Sequence, residues 1–292
     1  MACPDCKGPL TVPRPERLEC VSCGAEFRTA AGGKLPILLP SGSPLLENAL
    51  KAADAPAGKG TKRRASKPYR QARRLPRTNV TNLSKPYKDR FFASVGDGTI
   101  LNIGSGRREL ELGAEVVRLD IQPHQNCDVV GDAHHLPFLD GSFDAVMSDS
   151  VFEHLSDPFQ AAREVARVLR PGGKMWCSVP LAYPIHGSPN DYFRFTVDGL
   201  RSVFRDLRAV EIGPALGPIT TIALFAERVA DALLPGKLGF AARWCTAWLL
   251  QPWKYLDPWV VRRNPQSASA VFILAEKPQY DNHDDQAAGA NR

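Results

Sequence analysis

Short apolar runs alternate with amphipathic segments through the middle of the chain. Between the runs lie helical patterns such as residues 157–170, where apolar side chains recur every three or four positions. Regular alternation of this kind predicts an α/β fold whose mostly parallel sheet is covered by helices on both faces. Five runs have the length and composition of strands: residues 100–103, 116–120, 128–130, 143–147 and 174–179.

The pattern continues beyond residue 180. Residues 207–212 and 270–275 suit two further strands, and residues 197–204 suit a helix that Thr196 caps. Residues 218–234 and 238–256 have the pattern of amphipathic helices and lie in an insert, residues 214–262.

This insert holds four of the five tryptophans, Trp244, Trp248, Trp253 and Trp259. A lid over an active site or a contact between two copies of the chain explains these residues economically. Peripheral contact with a membrane, through basic residues and Trp beside apolar faces, is the third interpretation. The pattern leaves the oligomeric state open.

Composition narrows the class of protein. The 292 residues are 43% apolar, which is ordinary for a globular protein, and no apolar run reaches the length of a membrane span. The N-terminus lacks the basic and apolar regions of a signal peptide. Four of the seven cysteines fall within the first 23 residues, which indicates a metal site in a reducing compartment and not a disulfide framework. We expect a cytoplasmic protein.

The net charge of +6 has a local origin. Residues 59–90 include twelve Lys and Arg residues and one acidic residue, whereas the rest of the chain has 25 basic and 30 acidic residues. Residues 41–85 are rich in Ala, Gly, Pro, Ser, Lys and Arg, which predicts a flexible basic linker. The linker is either a solvated tether or a segment attracted to nucleic acid or another anionic surface. Residues 281–292 form a polar tail that we expect to be disordered.

The N-terminal cysteines form two Cys-x-x-Cys pairs, Cys3 with Cys6 and Cys20 with Cys23. Four thiolates complete a tetrahedral shell, which predicts a structural zinc ion and not a catalytic one. So small a unit buries little surface, and the metal would supply much of its folding energy. The alternative is four reduced cysteines that bind no metal.

The segment C-P-D-C-K-G-P-L, L-E-C-V-S-C-G-A-E-F-R and L-P-I-L-L-P resembles the small Trm112-like zinc-ribbon family. The resemblance covers about forty residues and implies a zinc-ribbon domain over residues 1–40. In that family the ribbon mostly docks onto another surface. It therefore implies a protein partner or a packing role rather than a reaction.

A glycine turn and an acid mark a nucleotide pocket in the centre of the chain. The first apolar run ends in Gly104-Ser105-Gly106, and the second ends in Asp120. Glycines allow backbone to approach a ligand closely, and an acid at the tip of the second strand accepts hydrogen bonds from ribose hydroxyls.

The motifs that follow this turn resemble those of a known family. Their order, L-N-I-G-S-G, L-D, G-D-A with L-P-F, F-D-A-V with E-H-L, and L-R-P-G-G, resembles the class I S-adenosylmethionine-dependent methyltransferases of the type 11 kind. The resemblance covers residues 100–180 and implies a Rossmann-like doubly wound sheet over residues 86–280. It also implies the cofactor S-adenosyl-L-methionine. The cofactor contacts that it implies are Asn102, Gly104, Ser105, Gly106, Asp120, Ile121, Asp132, Ala133, Ser148 and Ser150.

Two positions depart from that family. Asn102 replaces the usual acid of the first strand, and Arg108 replaces the usual third glycine. An amide oxygen still accepts a hydrogen bond but brings no charge to the ammonium of the cofactor. These departures keep two alternatives open: a Rossmann-like domain for another nucleotide, and a non-catalytic binding module with a degenerate pocket.

Residues 180–196 form a loop beyond the fifth strand, where open α/β sheets hold ligand-binding groups. His186 is a candidate proton acceptor from a substrate hydroxyl or amine, and Asp191 is a candidate to orient it. Tyr192 and Arg194 either contact substrate or fasten the loop to the core. For Glu153 we favour a structural role, complementing the N-terminus of the next helix, over that of a general base.

The pattern H-G-x-P-x-D-Y-F-R-F-T resembles a subgroup of these enzymes associated with bacterial glycan and secondary-metabolite pathways. We therefore predict methyl transfer to a hydroxyl or amine of a small molecule, such as a sugar. The first alternative is an rRNA or tRNA base methyltransferase, because rRNA guanine methyltransferases also join a four-ligand zinc module to this kind of domain. The second is a zinc-ribbon binding module without activity.

Overall fold

A computed structural model describes residues 1–14, 16–30, 34–54, 82–106, 115–123, 126–187 and 190–279. The chain begins with four short strands: β1 (Leu10–Arg14), β2 (Arg17–Cys20), β3 (Glu26–Ala30) and β4 (Leu35–Leu38). Each pairs antiparallel with the next, and Cys-x-x-Cys turns precede β1 and follow β2. This unit has the order expected of a zinc ribbon.

The central sheet confirms the predicted α/β fold. Its strands are β5 (Ile100–Ile103), β6 (Val116–Asp120), β7 (Val129–Gly131), β8 (Phe143–Asp149), β9 (Leu169–Pro180), β10 (Arg208–Leu216) and β11 (Ala270–Glu276). Strands β7, β6, β5, β8 and β9 are parallel neighbours in that order, and β11 and β10 add antiparallel strands at the far edge. The strand order reverses between β5 and β8, the place where such sheets bind ligands.

Helices pack on both faces of this sheet. They are α1 (Leu46–Asp54), α2 (Lys85–Val95), α3 (Pro158–Val168), α4 (Val197–Val203), α5 (Pro218–Leu233), α6 (Gly236–Leu250) and α7 (Asp257–Arg263). On one face, Leu101 and Val146 belong to an apolar cluster with Val165 of α3. On the other face, Met147 packs in a cluster with Phe91 of α2. Successive residues of a strand point to opposite faces, so both clusters use the same central strands.

The ribbon joins the central sheet directly. Strand β4 pairs parallel with β7, Ile37 beside Val130 and Leu38 beside Gly131, so that all eleven strands form one sheet. The Nζ of Lys7 donates to the carboxylate of Glu164 at 2.8 Å. The ribbon therefore docks onto the central domain through strand pairing and an ion pair. Apolar ribbon residues also belong to the same hydrophobic cluster as residues of the central domain.

The structure differs from three of the predicted boundaries. Helix α1 lies inside the segment predicted to be a flexible linker, because its apolar residues pack with Ile37 and Leu39. Residues 55–81 of the linker and the tail from residue 280 lie outside the described residues. Strand β10 extends to Leu216, so the helices of the insert begin at Pro218. Strand β9 begins at Leu169, directly after α3.

Candidate functional site

Both glycines of the turn after β5 have the left-handed backbone conformation that favours glycine. Gly104 has a φ of 67°, and a Cβ added to it would lie 2.2 Å from Cγ2 of Val151. Gly106 has a φ of 58°, and its N–H donates to Oδ2 of Asp120 at 2.9 Å. The other oxygen of Asp120 accepts from the N–H of Gln122 at 3.0 Å. Asp120 thus fastens the turn at the end of β6.

A cavity of about 690 Å³ opens at the carboxyl ends of β5, β6 and β7; we call it the cofactor cavity. A volume of this size suits a cofactor or a drug-sized ligand. Seven of the ten predicted cofactor residues line it: Gly104, Gly106, Asp120, Ile121, Asp132, Ala133 and Ser150. Asn102, Ser105 and Ser148 are buried and are not among its lining residues. Arg108 lies outside the described residues.

The segment after β7 forms one wall of the cofactor cavity. Asp132 caps the short 3-10 helix Ala133–His135, and its Oδ1 accepts from the backbone N–H of His134 at 2.9 Å and from Nδ1 at 2.6 Å. Burial by itself would raise the pKa of Asp132, but the hydrogen bonds from His134 outweigh it and lower the pKa. The carboxylate therefore remains ionised in this wall.

Two further residues that line the cofactor cavity follow the ribbon in sequence. Pro44 and Leu45 line the cofactor cavity, although they belong to the segment predicted to be a flexible linker. They come after β4, whose pairing with β7 brings them to this edge of the sheet. Val151, next to Ser150 in the segment after β8, also lines the cavity, as does Gln160, which no motif singles out.

A second cavity of about 380 Å³ adjoins the first; we call it the acceptor cavity. Ser150 lines both cavities, and its φ of 56° is unusual for a residue other than glycine. The polar wall of the acceptor cavity includes Glu153, Tyr183 and His186. At its other side, Lys88 forms an ion pair with Asp149. The two cavities thus meet at one residue, with polar side chains on the acceptor side.

Glu153, His154 and His186 form a compact cluster between the cavities. The Oε1 of Glu153 lies 3.6 Å from Nε2 of His186 and 3.8 Å from Nε2 of His154. The side chain of Glu153 is fully buried, and neither of its oxygens has a hydrogen-bond partner among the described residues. Burial raises the pKa of Glu153 to about 7.

The structure differs from the role that the sequence predicts for Glu153, which is to complement the N-terminus of the next helix. Glu153 belongs to a separate 3-10 turn, Phe152–His154, and α3 begins only at Pro158. Asp157 caps that helix, because its Oδ1 accepts from the N–H of Gln160 at 2.9 Å. Glu153 is therefore free of the capping role and faces polar groups of the cluster.

The loop after β9 holds its charged residues in a fixed arrangement. The Nη2 of Arg194 donates to Oδ2 of Asp191 at 2.7 Å, and the backbone N–H of His186 donates to the same oxygen at 2.9 Å. The Arg194 guanidinium holds the pKa of Asp191 well below its usual range. Tyr192 lines the cofactor cavity. Its N–H donates to the carbonyl of Glu153 at 2.8 Å, so the loop is tied to the cluster.

Thr196 caps α4 as predicted, its side chain accepting from the N–H of Gly199. Helix α4 follows the loop immediately, so this cap fixes the point at which the loop ends.

The four ribbon cysteines converge as the sequence predicts. Their Sγ atoms all lie within 4.8 Å of one another, with Cys6 3.4 Å from Cys20 and Cys3 3.8 Å from Cys23. Thiolates bound at 2.3 Å in a tetrahedron are separated by about 3.8 Å, so this donor set fits zinc. The cluster supports the predicted zinc ribbon.

Residues 101–177 match the family described as methyltransferase domain. The chain contains a methyltransferase domain. This confirms the predicted resemblance to the class I S-adenosylmethionine-dependent methyltransferases, and it supports S-adenosyl-L-methionine as the cofactor.

Curated relatives match the methyltransferase domain over part of their length. Methyltransferase GfsG of Streptomyces halstedii is 32% identical over 120 residues, 40% of this chain and 42% of that protein. An uncharacterised methyltransferase of Mycobacterium tuberculosis is 36% identical over 91 residues, 26% of this chain and 37% of that protein. The chain thus spans about two fifths of the length of these relatives.

Solved structures with a similar fold include the [4+2]-cyclase SpnF, with a TM-score of 0.44 and 18% identity over 70% of this chain and 86% of that one. A complex of the Haloferax volcanii Trm112 methyltransferase activator matches with a TM-score of 0.42 and 20% identity, covering 67% of this chain and 90% of that one. Among the described helices, none combines the length and apolar character that crossing a bilayer requires.

Proposed function

We propose that the protein transfers a methyl group from S-adenosylmethionine to a hydroxyl or amine of a small molecule. The observation that carries this proposal is the meeting of two cavities at Ser150, one lined by the family's cofactor positions and the other by polar side chains. When bound, the cofactor supplies an activated methyl group on its sulfonium. Two adjoining sites let donor and acceptor be held in reactive contact.

The residues of the cofactor cavity suit S-adenosylmethionine. Asp120 lines the cavity at the end of β6, and a carboxylate at that place is the group that accepts hydrogen bonds from ribose hydroxyls. We assign Gly104 and Gly106 to the methionine part, and Asp132 with Ala133 to the adenine. Tyr192 closes the cavity from the loop after β9.

The acceptor cavity is where we place the methylated molecule. Its modest volume of about 380 Å³ suits a small molecule or the end of a larger one. Of the two predicted catalytic residues, His186 lies on its wall, whereas Asp191 is engaged by Arg194 and holds the loop. We therefore propose that His186 contacts the acceptor and that Asp191 and Arg194 position His186.

Calorimetric titration with S-adenosylmethionine and with S-adenosylhomocysteine tests the cofactor assignment. We expect micromolar binding to the wild type and at least a hundredfold loss in Asp120→Ala, because two charge-assisted hydrogen bonds contribute about 1.5–3 kcal/mol each. Asp128→Ala is the matched control. Asp128 also accepts a backbone hydrogen bond, from Arg118 at 2.8 Å, but it does not line the cavity. If the wild type binds neither compound, the chain is a non-catalytic module.

Formation of S-adenosylhomocysteine with candidate acceptors tests the substrate class. We expect turnover with hydroxyl or amine acceptors, sugars being the first to screen, and none with rRNA or tRNA. Turnover with RNA that falls with rising salt would instead favour the base methyltransferase. Most of the basic segment that motivates that alternative, residues 59–81, lies outside the described residues.

For the insert we propose contact with an anionic membrane surface. Its helices expose Trp248, Trp253 and Trp259, together with apolar residues such as Leu238 and Leu249. None of the residues from 218 to 263, all of which are described, lines either cavity, so a lid role finds no support. The exposed charges are mostly basic: Arg228, Lys237, Arg262 and Arg263 against the single acid Asp231.

Co-sedimentation with vesicles tests this contact, since Trp beside apolar and basic residues favours an anionic interface. We expect binding to vesicles that contain phosphatidylglycerol, weaker binding to pure phosphatidylcholine, and loss of binding in the Trp248→Ala, Trp253→Ala double variant. A stable dimer that binds neither kind of vesicle would show that the exposed residues instead join two copies of the chain.

A further inference from the structure

The cluster between the two cavities brings three lone-pair donors together. One carboxylate oxygen of Glu153 and one ring nitrogen from each of His154 and His186 all lie within 4.8 Å of one another. The cluster lies between the cofactor cavity, which His154 lines, and the acceptor cavity, which Glu153 and His186 line. Its position therefore lets a ligand reach it from the acceptor side.

Hydrogen bonds fix which nitrogen of each ring faces the carboxylate. The Nδ1 of His154 lies 2.6 Å from the carbonyl of Asn190, and Nδ1 of His186 lies 3.2 Å from the carbonyl of Pro184. A carbonyl only accepts, so Nδ1 carries the hydrogen in both rings. In the neutral rings, both Nε2 atoms then present bare lone pairs to Glu153. Metal-binding histidines are oriented by this kind of outer hydrogen bond.

The carboxylate of Glu153 lacks a compensating group. It is fully buried, and neither oxygen accepts a hydrogen bond within the described residues. A buried, unpaired carboxylate is costly. The Arg194 guanidinium acts on Glu153 only through space, and it donates hydrogen bonds to Asp191 instead. Two ring lone pairs and a carboxylate that face one another repel, and a cation between them removes that repulsion.

We propose that Glu153, His154 and His186 bind a divalent metal ion such as Zn²⁺ or Mn²⁺. Ligands at 2.0–2.2 Å in a tetrahedron are about 3.4 Å apart, close to the 3.6 and 3.8 Å between Oε1 and the two Nε2 atoms. Two histidines and one carboxylate leave coordination positions open, as catalytic sites do. Because Glu153 and His186 line the acceptor cavity, an acceptor held there could reach those positions.

The catalytic use of this ion rests on the proposed function, whereas its binding does not. An acceptor hydroxyl that binds at an open position has its pKa lowered. As the methyl carbon leaves the sulfonium and bonds to the acceptor oxygen, the hydroxyl proton passes to solvent and the sulfonium becomes a thioether. The site would thus select hydroxyl acceptors over amines.

Titration of the full chain with Mn²⁺ tests the site, with the electron paramagnetic resonance signal of the free ion as the readout. The chain first receives one equivalent of Zn²⁺, which the four ribbon thiolates take up in preference to the cluster and which leaves the cluster empty. Carboxylate ligands suit Mn²⁺, whereas the four ribbon thiolates select Zn²⁺, so the ribbon does not interfere. We expect one Mn²⁺ per wild-type chain and at least a tenfold weaker affinity in Glu153→Gln and in His186→Gln. His135→Gln and Glu211→Gln are controls outside the cluster and should bind as the wild type does.

Thermal unfolding of the proteins with one equivalent of Zn²⁺ and no Mn²⁺ separates binding from folding. We expect Glu153→Gln to unfold at or above the temperature of the wild type, because it removes a buried unpaired charge. Stoichiometric Mn²⁺ binding that both cluster variants retain, or no binding by the wild type, would overturn the proposal. S-adenosylmethionine binding without Mn²⁺ binding refutes only the metal site, and the reverse result refutes only the proposed function.

Discussion

The ion pair between the ribbon and α3 offers the sharpest test of how the two parts of the chain depend on each other. Glu164 of α3 accepts from Nζ of Lys7 at 2.8 Å and from Nε and Nη2 of Arg167 at 2.7 and 2.9 Å. Its side chain is 8% exposed, and that of Lys7 is 30% exposed. Burial would raise the pKa of Glu164, but the hydrogen bonds from Arg167 and Lys7 outweigh it and lower the pKa.

Glu164→Gln keeps the shape of the side chain and removes its charge. In this variant Arg167 keeps its hydrogen bonds to Asp140 and to two backbone carbonyls. The main loss is therefore the ion pair of Lys7 with Glu164. A hydrogen bond to a charged group contributes about 1.5–3 kcal/mol, and the partial exposure of Lys7 reduces that figure. We expect a loss of about 2 kcal/mol, which lowers the melting temperature by roughly 4–8 °C in a domain of 150–250 residues.

Denaturant unfolding of the zinc-loaded protein, followed by tryptophan fluorescence, measures this loss. Because the folded-state pKa of Glu164 is lowered, its stabilisation is complete above the ordinary carboxyl pKa and disappears as the pH falls through the folded-state value. The difference between wild type and Glu164→Gln should therefore be largest near pH 7 and shrink in acid. Glu47→Gln, which breaks an exposed pair with Lys51, should cost under about 0.5 kcal/mol. Equal stability at pH 7, or a difference that grows in acid, would refute the reasoning.

Three further perturbations test the site and its supports. Gly104→Ala places a methyl group against Val151 and strains a left-handed residue, so calorimetry should show loss of S-adenosylhomocysteine binding. Cys3→Ser should lower zinc content and melting temperature, measured by elemental analysis and thermal unfolding, whereas the exposed Cys245→Ser should change neither. Asp257→Ala removes a buried carboxylate that accepts two backbone N–H groups at the start of α5, and chemical denaturation should show a loss of about 2–4 kcal/mol.

Much of the cofactor cavity could be predicted from local sequence. An apolar run that ends in Gly104-Ser105-Gly106 and a second that ends in Asp120 specify a strand, a turn and an acid within a few residues of one another. Parallel strands then bring those ends to one edge of the sheet. Asn102 and Ser148 are also predicted to contact the cofactor, but both are buried and neither is among the residues that line the cavity.

The acceptor side could not be predicted in the same way. Glu153 and His186 are separated by more than thirty residues, and helix α3, strand β9 and part of a loop lie between them. The acid next to a coming helix has the local pattern of a residue that complements a helix dipole. Only the placement of the loop after β9 shows that a second histidine lies beside this carboxylate. The sequence contains both motifs that form this side, E-H-L and H-G-x-P-x-D-Y. That they contact each other depends on tertiary structure.

The ribbon supports the cofactor cavity although no cysteine lines it. Leu38 of β4 pairs with Gly131, directly before Asp132, and so covers an edge of β7 that would otherwise be unpaired. A few residues later, the backbone N–H of Ala2 donates to the carbonyl of Pro137 at 2.8 Å, and Lys7 donates to that of Leu136 at 3.2 Å. The ribbon thus holds both ends of residues 132–137, the wall that we assign to adenine. A zinc ion in the ribbon would stabilise that wall through strand pairing and these two contacts.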